Sequence, residues 1–165
     1  MSLDLVRIDD RLVHGQVVIG WGTYLNTNRI ILCSDPIADS KLESDMYMSA
    51  KETVLYPLTI SVYTQKQTIQ ELCNNTENSE KIILLVETPK ELLQLINSGL
   101  KIDKINVGGM HYSDGKRQLT PYIYVDDDDI FSFKQISKMG IKLEGKDVPS
   151  GKSIDISKIV NMNYH

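Results

Sequence analysis

Cysteine is scarce in this chain, which contains Cys33 and Cys73 among 165 residues. Two thiols are too few for the disulfide scaffold of a small secreted protein, and their separation fits no pair of metal ligands. We therefore expect both cysteines to be reduced thiols in a cytoplasmic protein.

Long apolar segments are also absent. No apolar run approaches the roughly 20 residues that a membrane-spanning helix needs. The chain begins MSLDLVRIDD, with acids where a signal peptide would carry basic and apolar residues. We expect a cytoplasmic protein that reaches a membrane only through partner subunits.

The chain has no excess of positive charge. Its formal net charge of -4 disfavours a general nucleic-acid-binding protein, which would present a basic face. Three motifs are missing as well: the phosphate-binding GxxxxGK followed by Ser or Thr, the dinucleotide-binding GxGxxG and the hydrolase GxSxG.

What the sequence does contain is an alternation of short apolar runs and longer amphipathic stretches. Residues 29–33 (RIILC) and 81–86 (KIILLV) have the pattern of strands buried on both faces of a parallel sheet. The alternation predicts an α/β fold, with one domain over residues 1–165, a mostly parallel central sheet and helices on both faces. The predicted strands are residues 3–8, 29–33, 58–63, 81–86, 104–107, 122–125 and 141–144.

Capping signals place the helices. Thr88, Pro89 and Glu91 form a helix start, with Thr as the cap and Pro at the first position. The four aspartates 126–129 are interpreted as a helix N-terminus stabilised by the macrodipole; as a metal site they lack an accompanying ligand cluster. The predicted helices are residues 16–25, 34–50, 64–74, 88–98, 126–139 and 154–160, and the predicted loops include 74–80 and 111–120.

Ligand sites in open parallel sheets form beyond the carboxyl ends of the strands. That rule points to the loops that follow residues 8, 33, 86 and 107. The first loop is the most informative, because residues 7–16 (RIDDRLVHGQ) hold two acids, two arginines and one histidine between a strand and a helix.

His14 is the candidate nucleophile in this loop. One imidazole nitrogen stays unprotonated near neutral pH and can attack phosphorus. Arg11 can offer a planar fork of donors to phosphate oxygens, and Asp9 or Asp10 could orient the ring or hold Arg11. From these residues alone, a loop histidine beside surface ion pairs is the competing interpretation.

Backbone amides add to the candidate phosphoryl site. Gly15, Gln16 and Val17 stand at a predicted helix start, where amide N–H groups point towards an anion. We therefore expect these amides to contact a phosphoryl group on His14.

A second candidate cluster follows the strand at residues 104–107. Gly108 and Gly109 allow close backbone approach to a ligand or to a neighbouring loop. Lys116 and Arg117 form a local basic patch that would lie at the same end of the sheet as His14 and bind phosphoryl oxygens. The alternative is a tight turn followed by a solvated basic loop. His111 is the weaker nucleophile, since it has no adjacent arginine.

The segment RIDDRLVHGQV, residues 7–17, closely resembles the signature of enzyme IIB of the mannose/fructose/sorbose family. These proteins belong to the bacterial phosphoenolpyruvate-dependent sugar phosphotransferase system. The likeness continues in order through residues 81–89, 106–110 and 115–119 to Pro149. It departs at Pro36 and at residues 51–54, which lie away from the motif and would affect partner contacts.

The resemblance implies a phosphocarrier. His14 would take a phosphoryl group on Nδ1 from a phosphohistidine of enzyme IIA and pass it to a sugar bound by the membrane components IIC and IID. Arg11 would bind the phosphoryl group, and Asp9 or Asp10 would support the loop. The resemblance implies no metal or organic cofactor, no nucleic acid, and a possible homodimer.

Two other functions stay open at this point. One is a regulatory or binding module whose phosphorylation state is read by another protein without sugar transfer. The other, less favoured, is a metabolic enzyme that acts on a small anionic ligand.

Overall fold

Nine strands form in the computed structural model, which describes residues 2–74 and 79–163. All five residues of β2 are buried, as are the last five of β4, because these runs lie in the middle of a sheet that is covered on both faces. The strands are β1 (Ser2–Ile8), β2 (Arg29–Cys33), β3 (Thr59–Tyr63), β4 (Lys81–Val86), β5 (Lys104–Val107), β6 (Arg117–Thr120), β7 (Ile123–Val125), β8 (Lys142–Gly145) and β9 (Ile154–Asp155).

Seven of these strands build the central sheet in the order β3-β2-β4-β1-β5-β8-β9. The first six are parallel, and β9 pairs antiparallel with β8. The chain runs from β1 towards one edge through β2 and β3, and from β4 towards the other through β5 and β8. The loops after β1 and β5 therefore meet at the centre of the sheet, where ligand sites form in such folds. The predicted mostly parallel α/β fold is confirmed.

Helices connect the strands. Two of the helical segments are irregular: a π-helix at Gln16–Trp21 and a 3-10 helix at Ser49–Thr53. The α-helices are α1 (Gly22–Leu25), α2 (Asp35–Ala38), α3 (Lys41–Met48), α4 (Gln65–Asn74), α5 (Pro89–Asn97), α6 (Asp127–Lys138) and α7 (Ile156–Asn163). Within the described residues, no helix is long and apolar enough to cross a membrane.

The two faces of the sheet carry separate apolar cores. On β4, Ile83 and Leu85 point to the core that contains Trp21 of the π-helix and Ile37 of α2. Alternate residues of the same strand point to the other core, where the buried side chains of α5, α6 and α7 pack. The period of two along a strand explains this division. The prediction of helices on both faces is confirmed.

The predicted helix 16–25 begins as a π-helix. The amide of Gly22 donates to the carbonyl of Val17, five residues back. The carbonyl of Val18 instead accepts a hydrogen bond from the hydroxyl of Tyr56. A side chain that takes a helix carbonyl in this way widens the turn, and Gly22 leaves room for it, since a Cβ there would meet the Tyr56 hydroxyl.

Three further predictions differ from the structure. The predicted helix 154–160 is a strand, β9, at its first two residues and becomes helical only from Ile156, as α7. The predicted helix 34–50 is broken, because Ser40 starts a new helix by accepting a hydrogen bond from the Glu43 amide at 3.3 Å. The prediction of a loop over residues 111–120 was wrong for its last four residues, which form β6 and pair antiparallel with β7 outside the main sheet. Part of the predicted loop 74–80 lies outside the described residues.

The aspartate run at residues 126–129 forms a helix N-terminus, as predicted. The Asp126 carboxylate accepts a hydrogen bond from the Asp129 amide at 2.9 Å, and the Asp129 carboxylate accepts one from the Asp126 amide at 3.1 Å. This reciprocal capping box satisfies two amides that the helix itself leaves free. Among the described residues, no three or more His, Cys, Asp or Glu side chains are arranged so that they could hold a metal ion.

The capping box predicts which aspartate stabilises the fold. Asp126→Ala should lower the free energy of unfolding by about 1 kcal/mol, because it removes the N-cap acceptor. The exposed Asp128 provides the matched control, since Asp128→Ala removes the same charge without removing a cap and should cost only a few tenths of a kcal/mol. Urea unfolding of both variants measures the difference, and equal losses would contradict the assignment.

Candidate functional site

The loop after β1 is held in place on both sides. The amide of Asp9 donates to the carbonyl of Val86 at 3.0 Å, and the amide of Asp10 donates to the carbonyl of Gly109 at 2.9 Å. Leu12 adopts the left-handed conformation with φ of 58° and buries its side chain in the core. That conformation costs a non-glycine residue some free energy, so burial of the leucine offsets the strain of a sharp turn.

Beneath this loop lies a buried ion pair. Nη2 of Arg7 lies 2.9 Å from Oδ2 of Asp9, and both side chains have no exposed surface. Arg7 also donates to the side-chain oxygen of Asn106 and, at 3.0 Å each, to the carbonyls of Lys146 and Asp147. Burial lowers the pKa of Arg7, and the neighbouring Asp9 charge opposes that shift. Such a pair persists in a core only when its remaining donors find acceptors, as most of them do here.

Trp21 closes the side of this pair. The Arg7 guanidinium lies 5.6 Å from the centre of its ring, within range of a cation–π contact. The indole Nε1 of Trp21 donates to the Asp147 carbonyl at 3.0 Å. The π-helix, β1 and the loop after β8 are therefore joined around one arginine.

The Asp9 carboxylate is the centre of the site. Its Oδ1 accepts from the amide of Arg11 at 3.0 Å and from Nε of Arg11 at 3.2 Å, and its Oδ2 lies 3.1 Å from Nη2 of Arg11. Nε2 of His14 lies 3.2 Å from the same Oδ2. Burial alone would raise the pKa of Asp9, but the hydrogen bonds from His14 and Arg11 and the Arg7 charge hold it well below its ordinary value.

An ionised Asp9 fixes the proton position on His14. A carboxylate only accepts hydrogen bonds, so Nε2 of the neutral ring carries the proton. Nδ1 then carries the lone pair, and the amide of Gln16 donates to it at 3.3 Å. The geometry thus presents Nδ1 as the nucleophilic nitrogen.

Arg11 is held with part of its guanidinium unused. Its Nη2 donates to the side-chain oxygen of Gln16 at 2.7 Å in addition to Asp9. Among the described residues, Nη1 of Arg11 has no hydrogen-bond acceptor, and the side chain is 33% exposed. The two N–H groups of Nη1 are therefore available to an anion beside His14.

The three predicted amides have different positions. The Gln16 amide lies beside Nδ1 of His14 and donates to it at 3.3 Å, so its contact with a phosphoryl group stays a prediction. Gly15 is exposed, and nothing lies within 4 Å of the place a Cβ would occupy, so the space above it is open. The Val17 amide already donates to the His14 carbonyl at 3.0 Å, inside the turn.

The paired glycines bring the loops after β1 and β5 into contact. A Cβ on Gly108 would meet the Arg7 guanidinium and lie 2.6 Å from Oδ2 of Asp9. A Cβ on Gly109 would lie 3.2 Å from Nε of Arg11. Of the two predicted possibilities, the neighbouring loop is the one that these glycines approach.

Asp10 has a different role from Asp9. Its carboxylate accepts from the His111 amide and from Nδ1 of His111, both at 2.6 Å, and so ties the β5 loop to the β1 loop. The predicted choice between Asp9 and Asp10 as the partner of His14 falls on Asp9 in this geometry.

The predicted basic patch turns towards α6. Nζ of Lys116 lies 3.1 Å from Oδ2 of Asp129, and Nη2 of Arg117 lies 2.8 Å from Oδ1 of Asp127. Neither pair includes the His14 cluster, so phosphoryl binding by Lys116 and Arg117 stays a prediction.

Sequence reasoning did not show that Arg7, Asn106 and Asp147 meet beneath the loop after β1. The available signal for Arg7 was a charged residue between the apolar Val6 and Ile8 at the carboxyl end of β1, because a buried arginine needs several acceptors. No sequence pattern marks Asp147, because it lies in the loop after β8 and its hydrogen bonds to Arg7 and Trp21 are made by its backbone carbonyl.

The chain is thus an open, mostly parallel α/β protein that carries an acid-held histidine and a partly free guanidinium beyond the carboxyl ends of its central strands. Comparison with known proteins gives the family. The profile of the family described as "PTS system sorbose subfamily IIB component" matches residues 3–165. The chain belongs to this family, and the resemblance found at residues 7–17 is confirmed.

Individual relatives agree with this assignment. The PTS system sorbose-specific EIIB component of Klebsiella pneumoniae is 31% identical over 161 residues, which cover 98% of this chain and 96% of the relative. The mannose-specific EIIAB component of Escherichia coli strain K12 is 37% identical over 165 residues, which cover 96% of this chain and 50% of the relative.

Solved structures share the fold. The IIBSor domain of the Klebsiella pneumoniae sorbose permease superposes with a TM-score of 0.88 at 30% identity and covers 99% of this chain and 98% of its own. The N-acetylgalactosamine-specific IIB component 1 of Escherichia coli gives 0.87 at 32% identity, covering 94% and 99%. The chain is thus an enzyme IIB component, a phosphotransferase of a sugar phosphotransferase system.

The close approach at Gly108 predicts a severe substitution. Gly108→Ala should lower the free energy of unfolding by about 2 kcal/mol, because the new methyl group displaces the buried Arg7–Asp9 pair. Gly20→Ala is the control, since its Cβ would meet only Pro149 at 3.9 Å and should leave stability unchanged or slightly higher. Urea denaturation compares them; a silent Gly108→Ala would contradict the packing.

The low pKa of Asp9 predicts a pH dependence. Asp9→Asn should cost about 3 kcal/mol at pH 7, because Arg7 stays buried without its counter-charge. A carboxyl whose folded pKa is depressed stabilises the protein above its unfolded pKa of about 4 and loses that contribution as pH falls. The gap between wild type and variant should therefore be constant from pH 7 to 5 and narrow by about 1 kcal/mol at pH 3. Urea unfolding at these pH values measures it, and a gap that widens in acid would contradict the account.

Proposed function

We propose that this chain accepts a phosphoryl group on Nδ1 of His14 from a phosphohistidine of an enzyme IIA protein. It then passes the group to a sugar bound by membrane components IIC and IID. The observation that carries this proposal is the Gln16 amide that donates to Nδ1 of His14 at 3.3 Å while Nε2 faces Asp9, because a nitrogen that accepts a hydrogen bond carries the lone pair.

The chemistry needs little more than positioning. The lone pair of Nδ1 attacks phosphorus while the bond from phosphorus to the donor nitrogen breaks, and Nε2 keeps its proton throughout. The phosphorylated ring is more positive than the free imidazole, and the Asp9 carboxylate stabilises it. Nη1 of Arg11 and the Gln16 amide face the phosphoryl oxygens, which carry the charge in the transition state. Transfer onward forms a bond from phosphorus to a sugar oxygen while the bond from phosphorus to Nδ1 breaks. The electron pair of that bond returns to Nδ1, and the hydroxyl proton of the sugar passes to solvent.

The openness of the site favours two successive protein partners. The His14 side chain is 18% exposed, and Gly15 beside it is exposed with empty space above. A donor and an acceptor must reach the same nitrogen from solvent in turn, and a deep pocket would hinder both.

A IIA donor fits the names of the relatives. The Escherichia coli mannose relative is named an EIIAB component, and this chain matches half of its length. Relatives at similar identity carry the names of sorbose, N-acetylgalactosamine, fructose and mannose systems. That variety supports selection of the sugar by the membrane components.

Cysteine is the alternative phosphoryl acceptor, and its surroundings argue against it. Cys33 is buried at the carboxyl end of β2, where burial, with the nearby charges of Glu91 and Asp35, raises the pKa of its thiol to about 11. A neutral, enclosed thiol is a poor nucleophile. Cys73 is exposed but lies beside Gly99, at the opposite end of the sheet.

Phosphorylation of variants separates the two acceptors. With phosphoenolpyruvate, the general donor proteins and an enzyme IIA, wild type and Cys33→Ser should gain one acid-labile phosphate, and His14→Ala should gain none. His111→Ala is the matched control, because it removes the other histidine next to the site and should still be labelled. Mass spectrometry of the intact proteins and their peptides reads the result, and label that persists in His14→Ala would contradict the proposal.

A regulatory module without sugar transfer remains the second function. Membrane vesicles that contain IIC and IID distinguish it from a transporter component. Sugar phosphate should accumulate with wild type and not with His14→Ala, whereas a labelled protein that yields no sugar phosphate with its own membrane partners would favour the regulatory module.

A further inference from the structure

The loop that follows β8 brings a third acid to the His14 site. Its main chain is fixed by five hydrogen bonds. Arg7 donates to the carbonyls of Lys146 and Asp147, Asn106 donates to the Lys146 carbonyl at 3.1 Å, and Trp21 donates to the Asp147 carbonyl. The Lys146 amide donates to the Val107 carbonyl at 3.1 Å. The position of Asp147 therefore does not depend on its own side chain.

The Asp147 carboxylate points at the cations of the site. Its Oδ1 lies 3.7 Å from Nη2 of Arg11 and 3.9 Å from Nη2 of Arg7, and the side chain is 37% exposed. These distances allow attraction between charges without a direct hydrogen bond. The charge of Asp10 also acts on Arg11.

The site therefore has no surplus of positive charge before phosphorylation. Two arginines face three carboxylates, those of Asp9, Asp10 and Asp147. A phosphoryl group adds up to two negative charges to this set. Because Asp147 is partly exposed and Arg11 opens to solvent beside it, the carboxylate and the phosphoryl group compete for the same guanidinium.

We propose that Asp147 is a positioning residue that acts through Arg11 to destabilise phosphorylated His14 and so favours onward transfer. This inference deepens the proposed function and rests on it. A carboxylate that already neutralises Arg11 weakens the attraction between Arg11 and the phosphoryl oxygens. The phosphoryl group is then held long enough to be carried and is released readily.

The test is the equilibrium of transfer between phosphorylated enzyme IIA and this chain. Asp147→Asn keeps the shape of the side chain and removes its charge. It should shift the equilibrium towards phosphorylated His14 by about three- to tenfold, because one nearby, partly exposed charge changes such an equilibrium by about one log unit or less. The onward rate to the acceptor should fall by a similar factor. Asp147→Glu should restore wild-type behaviour.

Two controls separate an electrostatic role from a structural one. Asp128→Asn removes one exposed charge on α6 and should leave the equilibrium unchanged. The difference between wild type and Asp147→Asn should shrink as salt rises from low ionic strength to about 1 M, where exposed charges are screened within about 3 Å.

The outcomes are distinguishable. Absence of label on wild-type His14 would overturn the proposed function itself. Normal labelling of wild type with an unchanged equilibrium in Asp147→Asn would overturn the role of Asp147 alone. An Asp147→Asn shift that ignores salt, or that Asp147→Glu does not reverse, would also overturn it.

Discussion

The site depends on one buried carboxylate. Asp9 is fully enclosed, yet it stays ionised because Arg7 lies below it and Arg11 and His14 lie above it. Removing Arg7 or Asp9 alone would leave the other charge in the interior without its buried partner, which is costly. The same carboxylate therefore binds the strand to its loop, orients the Arg11 guanidinium and faces Nε2 of His14. The contacts that stabilise the loop are thus the ones on which the proposed chemistry rests.

The topology supplies what surrounds that carboxylate. Because β1 lies between β4 and β5, the loop after β1 receives support from Val86 on one side and from Gly108 and Gly109 on the other. Arg7 then reaches the loop after β8 through two carbonyls. The Arg7–Asp9 pair beneath the loop is closed to solvent, whereas His14, Gly15 and one edge of Arg11 on the other side of the carboxylate are partly or fully exposed. That arrangement suits a group that must be accepted and released without a change of fold.

Much of the fold could be predicted from the sequence. The strands at residues 29–33, 81–86 and 104–107 have the predicted bounds, because strands buried on both faces are continuous apolar runs. The loop that carries His14 was identified because two arginines, two aspartates and one histidine occur together in residues 7–16. The π-helix could not be predicted, since it depends on Tyr56, a distant side chain that takes the Val18 carbonyl. The partners of Arg7 come from β5 and the β8 loop, and no local pattern shows them.

The central claim is that Asp9 leaves Nδ1 of His14 as the nucleophile. The most direct measurement is nitrogen-15 NMR of the histidine ring, before and after phosphorylation, with phosphorus coupling to assign the modified nitrogen. The account predicts that the neutral form of the ring carries its proton on Nε2 in the free protein, and that the phosphoryl group is on Nδ1 afterwards. A ring protonated at Nδ1, or a phosphoryl group on Nε2, would contradict it.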